Sequence, residues 1–216
     1  MKPKARPTTP RRRPKSTSGT AIVDAILDAA GELFVAGGLD HTTTNRIAER
    51  AGVSVGSVYQ YFPNKQSIVA GLTSRVNREL LDGITRAVTE PGPFEEKLER
   101  ALLAYVSESA CDLPLRRALV AGVPREWVDA NIASSEQEIV ERLWPLAREA
   151  RPDVDEAALR SALVSCVFAV RGAMQGALLY HPESLREPAF LRQLGAMVNA
   201  ILATIQGDAI WPQHCQ

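Results

Sequence analysis

Apolar residues recur at three- and four-residue intervals along most of the chain, and no stretch sustains the alternation of a half-buried strand. The pattern predicts an all-α protein. Ile22, Ile26, Leu33 and Phe34, with Ala29 and Ala30 between them, mark one face of a first helix that begins at Thr20 and ends at Gly37-Gly38. Two short helices follow. Thr43 and Thr44 are N-cap residue types, Ile47, Ala48 and Ala51 keep helical spacing, and Gly52 suits a helix stop. Ser54 can cap the next helix, which carries Val55, Val58, Tyr59 and Phe62 until Pro63 ends it. Two helices joined by so tight a glycine-containing turn form a helix-turn-helix, whose second helix can enter the major groove of DNA.

Asn64 then caps a fourth helix through Ile68, Val69, Leu72, Val76, Leu80 and Leu81, and Pro91-Gly92-Pro93 makes the clearest internal break. Further helices are predicted over 94–110, 115–121 and 125–150, the last kinked at Pro145. Asp153-Val154-Asp155-Glu156 reads as a capping box opening a helix to Tyr180, and Pro188 opens the final helix. The organisation expected is an arm over 1–19, a helix-turn-helix domain over 20–66 and a larger helical domain over 67–216. In the last two helices, Leu163, Val167, Val170, Met174 and Leu178 form one apolar stripe, and Leu191, Leu194, Val198, Ile201 and Ile205 another.

A formal net charge of zero conceals an uneven distribution. Lys2, Lys4, Arg6, Arg11, Arg12, Arg13 and Lys15 crowd the first twenty residues, which hold no acid, and the remainder is mildly acidic. Such an arm, proline-rich and without an apolar face, is expected to lie along phosphates or in the minor groove beside a recognition helix. Between Ala21 and Arg75 acids slightly outnumber bases, and the recognition helix carries no charge. DNA affinity must then lean on hydroxyls, helix-end amides, Lys65 and the arm. Three widely spaced cysteines fit a reducing, cytoplasmic compartment. The longest core-like run, 162–170, is too short for a bilayer, so no membrane is expected. Three scattered histidines and the lack of a glycine-rich phosphate loop or nucleophile motif point away from an enzyme, a metal site or a cofactor.

With Thr-Thr at 43–44, Ile-Ala at 47–48, Ala-Gly-Val-Ser at 51–54 and Tyr-Gln-Tyr-Phe-Pro-Asn-Lys at 59–65, the sequence resembles the tetracycline-repressor (TetR) family of bacterial transcription regulators over about residues 21–70. The resemblance implies an N-terminal three-helix DNA-binding domain and a larger C-terminal ligand-binding and dimerisation domain. Thr43 and Thr44 then start the second helix, where Thr44 can meet a phosphate. Ser54, Val55, Gly56 and Ser57 form the tip of the recognition helix, with Val55 able to touch a thymine methyl and Gly56 allowing close approach. Arg46, Ser57 and Gln60 are polar candidates for base or phosphate contact; Tyr59, Tyr61 and Lys65 resemble the family's phosphate-contacting residues. The partner implied is a palindromic double-stranded operator, bound by a homodimer through the stripes of the last two helices. A DNA-binding protein that reads no sequence is the alternative.

The resemblance also implies a pocket for a small-molecule effector in the larger domain. Tyr105, Cys111, Trp127, Trp144, Phe168, Arg171, Met174 and Gln175 are the candidates; Arg171 and Gln175 share a helix face, and a buried arginine needs an anionic partner. Ligand binding would shift the fourth helix and weaken operator binding through its differential affinity for two states.

Overall fold

The computed structural model describes residues 17–206, which fold into helices and short 3-10 turns without a strand among them. The helices are α1 (Thr17–His41), α2 (Thr44–Arg50), α3 (Val55–Tyr61), α4 (Lys65–Thr89), α5 (Phe94–Cys111), α6 (Leu113–Gly122), α7 (Asp129–Ala150), α8 (Glu156–Tyr180) and α9 (Pro188–Ala203). They form two compact units. The first comprises the described residues up to Glu79 and Asp112–Ser134; the second comprises Leu80–Cys111 and the described residues from Ser135 onward.

The division within α4 falls later than the sequence boundary at 66/67, for a physical reason. Ile68, Val69, Leu72 and Val76 are all buried and complete the core around the helix-turn-helix. Ile26 and Phe34 from α1, Ile47 from α2, and Val58 and Phe62 at α3 fill the rest of that core. α6 joins the same unit because it packs on α1, with Leu115 and Val123 in the core. Small residues permit the approach: a Cβ at Gly31 would stand 3.7 Å from Leu115, and one at Gly122 would stand 3.2 Å from Phe34.

α1 outlasts the expected stop by a few residues, and its path breaks at Gly38, where φ is 71°. Only glycine adopts that backbone cheaply. α8 opens two residues later than the capping box suggested: Asp155 is the N-cap, its carboxylate accepting from Ala158 N–H at 2.9 Å. α7 is assigned as one helix through Pro145.

In the second unit α8 and α9 pack on each other, and here the structure revises an expectation. Leu163, Val167, Val170, Met174 and Leu178 of α8, and Leu194 and Val198 of α9, are buried inside the unit. The α8 stripe therefore closes the unit's own core, whereas Leu191, Ile201 and Ile205 of the α9 stripe are only half-buried. The face that α8 leaves outside is Ser161, Ser165, Phe168 and Gly172. With its alanines and glycines counted, α8 is long and apolar enough by composition to cross a bilayer, unlike the shorter run considered above. Most of its large aliphatic side chains, Leu159 with those just named, are nevertheless buried in the unit's core.

Candidate nucleic-acid interface and effector cavity

The helix-turn-helix is built by local capping. Thr43 Oγ1 accepts from Arg46 N–H at 3.3 Å at the start of α2. Gly52 (φ 66°) makes the turn, and Val53 N–H bonds to Ala48 O at 3.0 Å. Ser54 Oγ accepts from Ser57 N–H at 3.0 Å and lies 2.8 Å from the Ser57 hydroxyl, so both serines are engaged in starting α3. One side of α3 is anchored, with Val58 and the following Phe62 almost wholly buried. The other side presents Val55, Gly56, Tyr59 and Gln60 to solvent. This outward face is neutral, apolar at its tip and rich in hydrogen-bonding groups beyond it.

Tyr59 and Tyr61 part company. Tyr59 is 45% exposed and its hydroxyl sits 3.2 Å from that of Thr44, which joins α3 to the start of α2. Tyr61 is 8% exposed and packs into the first unit's core. Residues two apart on a helix point to nearly opposite sides, so one tyrosine of the motif had to turn inward.

The cations near this face are employed. Lys65 Nζ donates to Leu39 O at 2.9 Å, and Arg46 Nη1 donates to His41 O at 2.8 Å, so both meet carbonyls at the end of α1. Positive charge at a helix C-terminus is favourable. Arg50 pairs with Glu32, and Arg75 pairs with Asp28 at 2.7 Å. The Thr44–Tyr59 pair and the Lys65 anchor were not foreseen, because each joins elements whose packing the sequence does not specify. Arg11, Arg12 and Arg13 lie outside the described residues.

The second unit contains an apolar cavity of about 80 Å³. α4 contributes Ile84 and Val88, α5 contributes Phe94, Lys97, Leu98, Ala101, Leu102 and Tyr105, and α7, α8 and α9 close it with aliphatic side chains and Cys166. Of the candidate ligand residues, Tyr105 lines this cavity. The others lie elsewhere. Trp127 packs against the first unit's core. Trp144 joins a cluster with Val140, Leu159 and Leu163, and the Arg160 guanidinium lies 4.4 Å from its ring centre. Phe168 is 53% exposed, Cys111 is exposed, Met174 is buried away from the cavity wall and Gln175 is half-buried. Arg171 forms a largely buried ion pair with Glu136, an acid in α7, so its anionic partner is supplied by the protein itself. Burial pushes the Cys166 thiol up to about 11, and it contacts Val198 O at 3.9 Å. A neutral thiol leaves the cavity wall uncharged there. The signal for the cavity was faint: Phe94, Leu98 and Leu102 share an α5 face that also reads as ordinary core.

Residues 26–72 match the family model described as "Bacterial regulatory proteins, tetR family". The chain is 30% identical over 87 residues to the fatty acid metabolism regulator protein of Bacillus subtilis, covering 40% of this chain and 45% of that one. It is 27% identical over 117 residues to the HTH-type transcriptional regulator AlkX of Mycobacterium tuberculosis, covering 53% and 55%. The chain thus spans about half the length of the curated relatives it matches. In fold it is similar to the fatty acid degradation regulator FadR of Bacillus halodurans, with a TM-score of 0.62 at 19% identity over 93% of this chain and 100% of the other. The matched segment is the helix-turn-helix described above together with the half of α4 that completes its core, and the helical unit beyond it follows the same fold. Residues 26–72 are therefore a DNA-binding domain of the type found in tetR-family bacterial regulatory proteins, and the chain as a whole is similar in fold to such regulators.

Proposed function

We propose that the protein is a cytoplasmic transcriptional repressor that binds a palindromic operator as a homodimer and releases it when a small apolar molecule enters the cavity. The carrying observation is the two-sided recognition helix: Val58 and Phe62 fix its pose, and Val55, Gly56, Tyr59 and Gln60 face outward. Hydroxyls at Thr44 and Tyr59 and the cations at Lys65 and Arg46 would fix register on phosphates, while Val55 and Gln60 read base edges. Selection of bound duplexes from a random-sequence pool should return an inverted repeat with half-site centres about 34–36 Å apart. Duplexes with no common sequence would instead support an architectural DNA-binding role.

Dimerisation is assigned to the outward face of α8. Phe168 projects there between Ser161, Ser165 and Gly172, and a Cβ at Gly172 or Gly176 would meet nothing within 4 Å. Small residues around one large aromatic let a second copy of the same face approach closely. Phe168→Arg should weaken the dimer about a hundredfold, comparable to the loss of an interface hot spot. Light scattering at micromolar protein checks this: the expected mass is half that of wild type, and an unchanged mass would remove α8 as the interface.

α4 supplies the link between ligand and DNA. It is one helix from Lys65 to Thr89, with core residues of the helix-turn-helix in its first half and cavity residues Ile84 and Val88 in its second. Arg142 of α7 hydrogen-bonds Thr85, and Arg86 meets Glu108 of α5 at 3.4 Å, so this second half is held against its neighbours. The void is smaller than the ~150 Å³ engineered cavity that takes up benzene. A larger ligand must displace a wall, and displacement of α4 would shift the population away from the DNA-binding state. Relatives named as fatty acid regulators, and a structure of a similar fold described as the SmeT–triclosan complex, support an apolar effector.

A further inference from the structure

The cavity's lining specifies more than apolarity. Apart from Lys97, Tyr105 and Cys166, every side chain on its wall is aliphatic or phenyl, and Lys97 is its one formal charge. A sugar, nucleotide or peptide would bury several donors and acceptors here without partners. Each such group costs about 1–3 kcal/mol, which an apolar wall cannot return. The lining also has a direction. Phe94, Lys97 and Leu98 in the first turns of α5 are part-exposed, whereas Cys166, Val167, Val198 and Leu202 are buried. Lys97 thus lends its methylene stem to the part-exposed end of the wall, where its ammonium can reach solvent, and the buried end is hydrocarbon.

The surroundings of Lys97 leave its ammonium available. The nearby acids Glu90 and Glu96 both approach Arg100, Glu96 at 3.7 Å and Glu90 at 4.0 Å. Arg100 in turn donates to Glu90 O at 3.0 Å and to Ala87 O at 3.2 Å, which fixes it at the end of α4. Lys97 has no ion pair or side-chain hydrogen bond among the described residues. Its place in the first turn of α5 adds the partial positive charge of a helix N-terminus to its own. Glu95 and Glu99 on the same helix are exposed to solvent and are screened there.

We infer that the effector is an amphiphile with one acidic head and an unbranched hydrocarbon tail, its carboxylate held by Lys97 and its tail lying among Leu102, Val167 and Val198. This rests on the reading of the cavity as an effector site. A chain of methylenes suits a narrow void bounded by aliphatic groups from five helices, because it enters lengthwise and buries about 0.8 kcal/mol per CH₂. A bulky fused-ring ligand would have to force more wall aside.

Calorimetric titration of the full-length protein with dodecanoate below its micelle concentration, and with dodecanol below its solubility limit, separates the claims. Wild type should bind dodecanoate about tenfold more tightly than dodecanol, in line with one charge-assisted contact. Lys97→Met should erase that preference and leave dodecanol binding unchanged. Equal binding of the two by wild type, or a carboxylate preference that survives in Lys97→Met, would overturn the assignment of Lys97 while leaving the effector cavity standing. If neither ligand binds wild type, or if both bind and Ala101→Leu leaves their affinities unchanged, the cavity reading itself fails.

Discussion

The two units use apolar side chains to opposite ends. Around the helix-turn-helix, Ile26, Ile47, Val58, Phe62, Ile68 and Leu72 are at most 1% exposed, and the packing is tight enough that a Cβ at Gly71 would lie 3.0 Å from Phe62. In the second unit, Leu102, Leu163, Val167, Val170 and Val198 are also buried, yet they border a void. A filled core transmits force and holds a surface in one pose; a core with a void has a second arrangement available when something fills it. The contrast suits the proposed function, in which the outward face of α3 is held rigidly and the second unit responds to a ligand.

Truncation is the strongest way to break this comparison. Ile68→Ala, in the filled core, should cost about 4 kcal/mol in urea unfolding, near the upper part of the range for such changes. Leu102→Ala, beside an existing void, should cost about 2 kcal/mol, because fewer contacts are lost. Equal losses would show that the two cores are packed alike. The reverse substitution sharpens the point: Ala48→Leu should destabilise by about 1–3 kcal/mol through overpacking, whereas Ala101→Leu should be close to neutral and should block ligand uptake.

Next in size is the Arg171–Glu136 pair, which joins α8 to α7 away from the residues that line the cavity. Arg171→Met alone should lose about 3 kcal/mol by stranding a largely buried carboxylate, and Arg171→Met with Glu136→Leu should recover most of it. A loss of ligand affinity in the double variant without a change in stability would return Arg171 to the binding site. The smallest effect belongs to the DNA face. Tyr59→Phe removes a half-exposed hydroxyl from Thr44 and from any phosphate, so operator affinity should fall by about 1 kcal/mol, roughly fivefold. Stability should stay within about 0.5 kcal/mol, and thermal unfolding alongside a binding titration checks both.

Most of the first unit was legible in the sequence. Thr43, Gly52, Ser54 and Pro63 act through local geometry, and the caps and turn they announce are the ones present. The inward turn of Tyr61 was harder to read, because tyrosine is at home on either side of a helix. The second unit was legible as helices but not as surfaces. Its stripes of Leu and Val gave no sign of whether they faced their own unit or a second copy, since both partners reward the same side chains. In the packed structure the α8 stripe lies inside its own unit, and Phe168 is a large side chain left on the outer side of that helix. The cavity was similarly hidden. Trp144, Met174 and Arg171 looked distinctive one at a time, whereas the wall is made of ordinary aliphatic residues whose significance lies in what they fail to fill.

Sequence-selective DNA binding is the central property of the proposed repressor. DNase footprinting of the region upstream of the protein's own gene, at physiological salt and with excess bulk DNA, measures it. The expected result is a protected site with two half-sites related by a two-fold axis, bound at least about 10³-fold more tightly than the competitor. Protection spread evenly over the fragment and abolished by an equal mass of bulk DNA would contradict it.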